Sequence, residues 1–102
     1  MNYTSQVVAV RKTAIFLNWI ASLRDSRAIA RIAVRIDRLS LGNPGDVRPV
    51  GDGVSEMRID YGAGYRGYVV RRGAEIVVLL CGGDKSSQSA DIAHAKRLAQ
   101  EV

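Results

Sequence analysis

The stretch Glu56-Met57-Arg58-Ile59-Asp60-Tyr61-Gly62-Ala63-Gly64-Tyr65-Arg66-Gly67-Tyr68-Val69-Val70 decides the fold. Alternating polar and apolar residues run up to Gly62-Ala63-Gly64, and a β-prone run follows it. This is typical of two antiparallel strands joined by a glycine turn. We predict these strands over residues 54–61 and 65–72. A third strand over 75–81, after the turn at 72–74, extends the pair into a meander.

The length of the glycine turn sets which side chains face each other. A three-residue turn places Arg58 opposite Tyr68. The same turn brings Arg66 beside Asp60, whereas a two-residue turn places Arg66 against Ile59. Because a buried unpaired arginine costs several kcal/mol, we favour the three-residue turn.

The favoured register gathers polar side chains on one exposed face of the sheet: Glu56, Arg58, Arg66 and Tyr68. An ordinary solvated face with surface salt bridges explains such a pattern too, and for a single pair of strands it is the commoner outcome.

Upstream of the meander the apolar residues recur at helical spacing. We predict a strand at 3–10, a helix from Lys12 to about Arg24, and a second helix capped by Asp25 or Ser26. Residues 42–46, Gly-Asn-Pro-Gly-Asp, end the second helix and complete an αα-hairpin. A short strand or loop follows near 47–50.

A final helix, capped by Ser86 or Ser87, closes the chain. The predicted fold class is α+β. A single domain over residues 1–102 contains an antiparallel sheet, with the N-terminal αα-hairpin and the C-terminal helix packed on one face.

The composition favours a polyanionic partner. Fifteen Lys and Arg against ten Asp and Glu give a net charge of +5. All of the basic residues except Lys12, Lys85 and Lys96 are arginines. The arginine fork binds phosphate at two points. The longest apolar run, 76–81, is too short to cross a membrane, and no signal peptide is visible, so we expect a cytoplasmic protein. The single Cys81 is expected to be a buried, inert thiol.

The second predicted helix has a basic face, made by Arg27, Arg31, Arg35 and Arg38. A solvated face is the commonest explanation for such a pattern. Binding to RNA, or cover by an acidic partner, would also explain it.

Several segments together carry a family resemblance: Phe16-Leu17-Asn18-Trp19-Ile20, Leu23-Arg24-Asp25, the arginine-rich second helix, Gly42-Asn43-Pro44-Gly45-Asp46, residues 53–62, Gly64-Tyr65-Arg66 and residues 79–88. They resemble the addiction module killer proteins of the RelE/ParE superfamily, which are phage Gp49-like and close to the HigB toxins. The likeness covers nearly the whole chain.

The resemblance implies a RelE-like fold and the toxin of a type II toxin–antitoxin system. It implies an mRNA interferase, a ribosome-dependent endoribonuclease that inhibits translation and needs no metal or cofactor. The implied partners are the ribosome, mRNA and an antitoxin, expected to be a HigA-like helix-turn-helix protein. One alternative is a ParE-like toxin that inhibits DNA gyrase without catalysis, and another is a non-toxic binding module.

Metal-free RNA cleavage needs a base for the 2′-hydroxyl, cations for the phosphate and an acid for the 5′-oxygen. We expect Arg58 and Arg66 to clamp the phosphate and Lys85 to act as a further cation or proton donor. Tyr68 is a candidate for base stacking or proton donation. Glu56 is a candidate base, although orienting Arg58 is its safer role.

RNA-binding residues are predicted on the basic helix face, at Arg27, Arg31, Arg35 and Arg38, and at Gln88. The glycine pair at 82–83 lets a ligand approach the backbone, and the helix that follows offers free N–H groups to an anion. His94, the only histidine, is expected on the surface of the final helix. That placement departs from the HigB toxins that use a histidine.

Overall fold

The computed structural model describes residues 8–102, which form a mixed α+β structure with a five-stranded sheet. In chain order the elements are β1 (Ala9–Lys12), α1 (Ala14–Ser22), α2 (Ser26–Ser40), β2 (Val47–Gly51), β3 (Val54–Arg58), β4 (Arg66–Arg72), β5 (Ile76–Gly83) and α3 (Gln88–Ala99). A 3-10 turn, Lys85–Ser87, precedes α3. The strand predicted at 3–10 lies largely outside the described residues. Within them, no helix is both long and apolar enough to cross a membrane.

Side-chain caps fix where the helices begin. The Thr13 hydroxyl accepts a hydrogen bond from the Phe16 amide at 3.0 Å and starts α1. Asp25 accepts from the amides of Arg27 and Ala28 and starts α2, which agrees with one of the two predicted caps. Ser87 is the N-cap residue of α3, as one of the two predicted caps, but its side chain makes no capping hydrogen bond. Asp84 caps the preceding 3-10 turn by accepting a hydrogen bond from the Ser86 amide.

The sheet has the order β1-β5-β4-β3-β2. Strands β2 to β5 pair antiparallel, but β1 pairs with β5 in parallel. The prediction of a purely antiparallel sheet is therefore wrong at this edge. The chain leaves β1 through α1 and α2, and such a long crossover allows the parallel pairing that a tight turn forbids.

Helices cover both faces of the sheet, which corrects the prediction of one covered face. On one face, Phe16 of α1 and Ile32 of α2 pack with Met57 and Leu79. On the other face, Ala95 and Ala99 of α3 pack with strand residues that include Tyr68, Val70 and Leu80. Each strand of the meander thus buries both of its sides.

The register between β3 and β4 also differs from the prediction. Arg58 pairs with Arg66, and Glu56 pairs with Tyr68. The connection runs over residues 59–65, and the Ile59 amide donates to the Tyr65 carbonyl at 2.9 Å. The two arginines still share one side of the sheet, because directly paired residues point to the same face.

Candidate functional site

A pocket of about 440 Å³ opens where β3 and β4 meet the 59–65 connection. Its lining brings together three predicted catalytic residues: Arg58, Arg66 and Lys85. The cross-strand pairing of the two arginines explains their proximity. Lys85 is brought to the same pocket by its backbone, whose N–H donates to the Ala63 carbonyl at 3.2 Å.

Arg58 is held at the pocket by the loop before β2. Its Nη2 lies 3.3 Å from Oδ1 of Asp46. Arg35 of α2 donates to the Arg58 carbonyl, and also to the carbonyls of Pro44 at 2.9 Å and Asp46 at 3.2 Å. Nε of Arg58 is buried and has no hydrogen-bond partner among residues 8–102. The guanidinium therefore keeps donor capacity that its neighbours do not use.

Arg66 is almost fully buried, with 9% of its surface exposed. Its Nη1 donates to the Gly64 carbonyl at 2.6 Å. Its Nε lies 3.4 Å from Oε2 of Glu56, yet the N–H does not meet hydrogen-bond geometry with any described atom. We therefore regard the contact as an ion pair without a hydrogen bond.

Glu56 lies beneath α3 and is only 1% exposed. Its Oε2 accepts hydrogen bonds from the Tyr68 hydroxyl at 3.1 Å and from Nε2 of Gln88 at 2.8 Å. The predicted exposed face is thus wrong for Glu56 and Tyr68, because α3 covers them, and it is wrong for Arg66, which is also buried. Glu56 contacts Arg66 rather than Arg58, the partner that the sequence suggested.

Tyr68 and Gln88 lie around this buried carboxylate and do not line the pocket. Burial, followed by the charge of Glu56, raises the pKa of Tyr68 far above its usual value. Its phenol therefore stays a hydrogen-bond donor at neutral pH. An RNA base cannot stack on the Tyr68 ring, because the ring has no exposed surface.

The glycine pair at the end of β5 does not leave room for a ligand. A Cβ on Gly82 would overlap the Trp19 ring, and one on Gly83 would overlap the Asp91 carboxylate. The predicted ligand approach at this point is wrong. The glycines instead let α1 and α3 pack closely against the two sides of the strand.

A second pocket, of about 560 Å³, adjoins the first and shares Ile59 and Asp60 with it. Four arginines of α2 line it: Arg27, Arg31, Arg35 and Arg38. The guanidinium of Arg31 lies 4.8 Å from the centre of the Tyr61 ring. We call the two pockets together the basic groove.

The family model "Phage derived protein Gp49-like (DUF891)" matches residues 18–101. The chain belongs to this Gp49-like family. The family is associated with the killer proteins of toxin–antitoxin systems, and such a toxin implies an antitoxin partner.

The Gp49-like chain is also similar to an uncharacterised protein of Haemophilus influenzae (strain ATCC 51907 / DSM 11121 / KW20 / Rd). The two are 48% identical over 95 residues, which cover 93% of this chain and 96% of the relative. No solved structure matches the chain.

Sequence reasoning assigned no role at the site to three polar side chains that line the first pocket of this Gp49-like protein: Asp46, Asp60 and Tyr65. Asp46 was assigned only to the segment that ends α2. Tyr65 was placed within β4, whereas it lies in the connection before that strand. A signal was available for Asp60, because the favoured register placed Arg66 beside it, whereas Asp46 lies far from Arg58 in the sequence.

Two further predictions concern residues outside the basic groove. His94 lies on α3, is half-buried rather than fully exposed, and lines neither half of the groove. Cys81 is buried, as predicted, and burial followed by the charge of Asp91 raises the pKa of its thiol to about 12. The thiol therefore stays protonated and inert at neutral pH.

Proposed function

We propose that this Gp49-like protein is a toxin that cleaves messenger RNA on the ribosome and so inhibits translation. The observation that supports this function is the meeting of Arg58, Arg66 and Lys85 around one pocket. We further propose that the chain has a RelE-like fold with an N-terminal αα-hairpin, and that it is related to the HigB toxins.

The three cations match the charge that develops during cleavage. When the 2′-oxygen attacks the adjacent phosphorus, the phosphate oxygens gain negative charge in the transition state. Arg58 and Arg66 can each offer parallel N–H groups to these oxygens, because a guanidinium is a planar fork. Arg66 is positioned before RNA binds, since Glu56 and the Gly64 carbonyl hold it in place.

The arginines of α2 extend the phosphate-binding surface away from the pocket. Because the two halves of the basic groove meet at Ile59 and Asp60, an RNA strand clamped at Arg58 and Arg66 can continue along α2. Each phosphate that an arginine neutralises releases counterions, so binding should weaken steeply with salt.

The proposed partners follow from this role. The ribosome supplies the messenger RNA, and a HigA-like helix-turn-helix antitoxin holds the toxin inactive. An acidic segment of that antitoxin would complement the basic groove. We place the protein in the cytoplasm, where translation occurs.

The test is to induce the protein in cells and map the ends of transcripts. We expect cuts within translated frames for the wild type and none for Arg58→Ala. Arg48→Ala removes the same charge from an exposed position on β2 and should leave the cuts unchanged. Arg66→Lys is preferred to alanine, because it keeps a cation beside the buried Glu56.

The rival gyrase function predicts a different result. Intact transcripts together with an induced DNA-damage response would contradict RNA cleavage and support a ParE-like inhibitor.

A further inference from the structure

We propose that Asp60 is the general base that takes the proton from the attacking 2′-hydroxyl. This inference rests on the endoribonuclease function proposed above and names the residue that begins its reaction. A base is required because a 2′-hydroxyl is a weak nucleophile until its proton is removed.

Neither Glu56, the base that the sequence suggested, nor the only histidine lines the first pocket. Glu56 is buried and already accepts hydrogen bonds from Tyr68 and Gln88. His94 lines neither half of the basic groove. The carboxylates that do line the first pocket belong to Asp46 and Asp60.

The two carboxylates differ in what already binds them. Oδ1 of Asp46 lies 3.3 Å from Nη2 of Arg58, so this carboxylate neutralises a phosphate clamp. Among residues 8–102, the Asp60 side chain makes no hydrogen bond and no ion pair, and it is exposed to solvent. Asp60 can therefore accept a proton without first losing a partner.

The residues on either side of Asp60 in the chain are fixed by hydrogen bonds and packing. The Tyr61 amide donates to the Ile59 carbonyl at 2.9 Å, which makes Asp60 the central residue of a tight turn. Ile59 is buried in the core next to β3. The Tyr61 hydroxyl donates to Oδ1 of Asp25 at 3.3 Å, and Arg31 covers the Tyr61 ring.

The position of Asp60 is costly for a surface that only binds RNA. It lies where the two halves of the basic groove meet, between the pocket cations and the arginines of α2. A negative charge at that point repels phosphate and lowers affinity. A group that must remove a proton beside the scissile phosphate, however, belongs at this point.

Asp60 accepts the 2′-hydroxyl proton while the 2′-oxygen forms a bond to phosphorus. The bond from phosphorus to the 5′-oxygen breaks, and the Lys85 ammonium gives a proton to the leaving oxygen. The products are a 2′,3′-cyclic phosphate and a 5′-hydroxyl, and exchange with water restores both side chains.

The experiment uses ribosomes programmed with a short synthetic messenger that the wild type cuts at a mapped linkage. Asp60→Asn should lower the single-turnover cleavage rate by about 100-fold or more. Its affinity for the programmed ribosome should be unchanged or higher, because a negative charge is lost. Asp52→Asn, an exposed carboxylate in the turn between β2 and β3, is the matched control and should cut at the wild-type rate.

A second substrate separates the base from the acid. It carries sulfur in place of the bridging 5′-oxygen, and a thiolate leaves without needing a proton. This substrate should restore cleavage by Lys85→Ala but not by Asp60→Asn. Rescue of both variants would overturn the assignment of Asp60.

The two proposals fail in different ways. If the wild type leaves the programmed messenger intact, the endoribonuclease function is wrong, and the role of Asp60 falls with it. If the wild type cuts and Asp60→Asn cuts within about threefold of the same rate, only the role of Asp60 is overturned, since a general base contributes far more than that.

Discussion

Nε2 of Gln88 donates a hydrogen bond to Oε2 of Glu56 at 2.8 Å, which ties the first residue of α3 to the middle of β3. The same carboxylate oxygen lies 3.4 Å from Nε of Arg66. The placement of α3 and that of a pocket cation are therefore linked through one buried group. Gln88 is a positioning residue in this arrangement, since it acts through Glu56.

Gln88→Leu should destabilise the fold by about 1 to 3 kcal/mol, because a buried carboxylate loses a donor that nothing replaces. We expect urea unfolding to show a lower midpoint with an unchanged slope. Ser89→Ala, an exposed position on the same helix, is the control. Equal midpoints for the two variants would show that the hydrogen bond contributes nothing measurable.

Much of the element order could be read from the sequence. The apolar spacing gave α1, α2 and α3, and the glycine-bounded runs gave β3, β4 and β5. The parallel pairing of β1 with β5 could not be predicted in this way. The two strands are far apart in the chain, and no local turn encodes their pairing.

The candidate site was predicted only in part. The alternation correctly placed Arg58 and Arg66 on one side of the sheet, but the number of residues in their connection was misjudged. Which layer covers that side is a tertiary property that alternation does not contain. For this reason Glu56 and Tyr68 were expected at the surface, whereas α3 buries them.

Asp25 should make the stability of α2 depend on pH in the acid range. The hydrogen bond from the Ala28 amide is the main reason that the pKa of Asp25 lies below its usual value. A carboxyl group whose pKa is lower in the folded state than in the unfolded state stabilises the fold fully at pH values above its unfolded pKa. This contribution is lost as the pH falls through the folded pKa.

Asparagine caps a helix nearly as well as aspartate and does not titrate, so Asp25→Asn isolates this effect. Below about pH 4, we expect the Tm of the wild type to fall relative to the Tm of the variant. Circular dichroism melts from pH 7 to pH 3 provide the measurement. Asp37→Asn, an exposed carboxylate on the same helix, controls for net charge. A difference in Tm that does not change with pH would contradict the role of the cap.

Gly82→Ala should displace the only tryptophan, because the added Cβ would overlap the Trp19 ring. Overpacking of this kind costs about 1 to 3 kcal/mol. We expect a lower Tm together with a red shift of the Trp19 emission as its ring moves towards solvent. Gly53→Ala adds a methyl at a positive φ with no atom within 4 Å, so the emission should stay unchanged there.

Gly64→Ala should damage the pocket itself. Gly64 has a φ of +75°, and a Cβ there would lie 3.1 Å from Nη1 of Arg66 and 3.3 Å from Cβ of Lys85. The buried arginine has little room to yield, so the methyl should push the two cations out of position. Displacements of about 1 Å can cost 100-fold in rate, and these contacts require a shift of a few tenths of an ångström, so we expect messenger cleavage to fall by up to about 10-fold.

Gly73→Ala separates this effect from backbone strain. Gly73 has a similar φ of +70°, but a Cβ there meets no atom within 4 Å. Each alanine in the left-handed region should cost about 1 to 2 kcal/mol, and the contact with Arg66 should lower the stability of Gly64→Ala further. Only Gly64→Ala should lose cleavage when the two are assayed well below their melting temperatures. Equal activity of the two variants would mean that Gly64 does not hold Arg66 and Lys85 in place, because the backbone strain at the two alanines is matched.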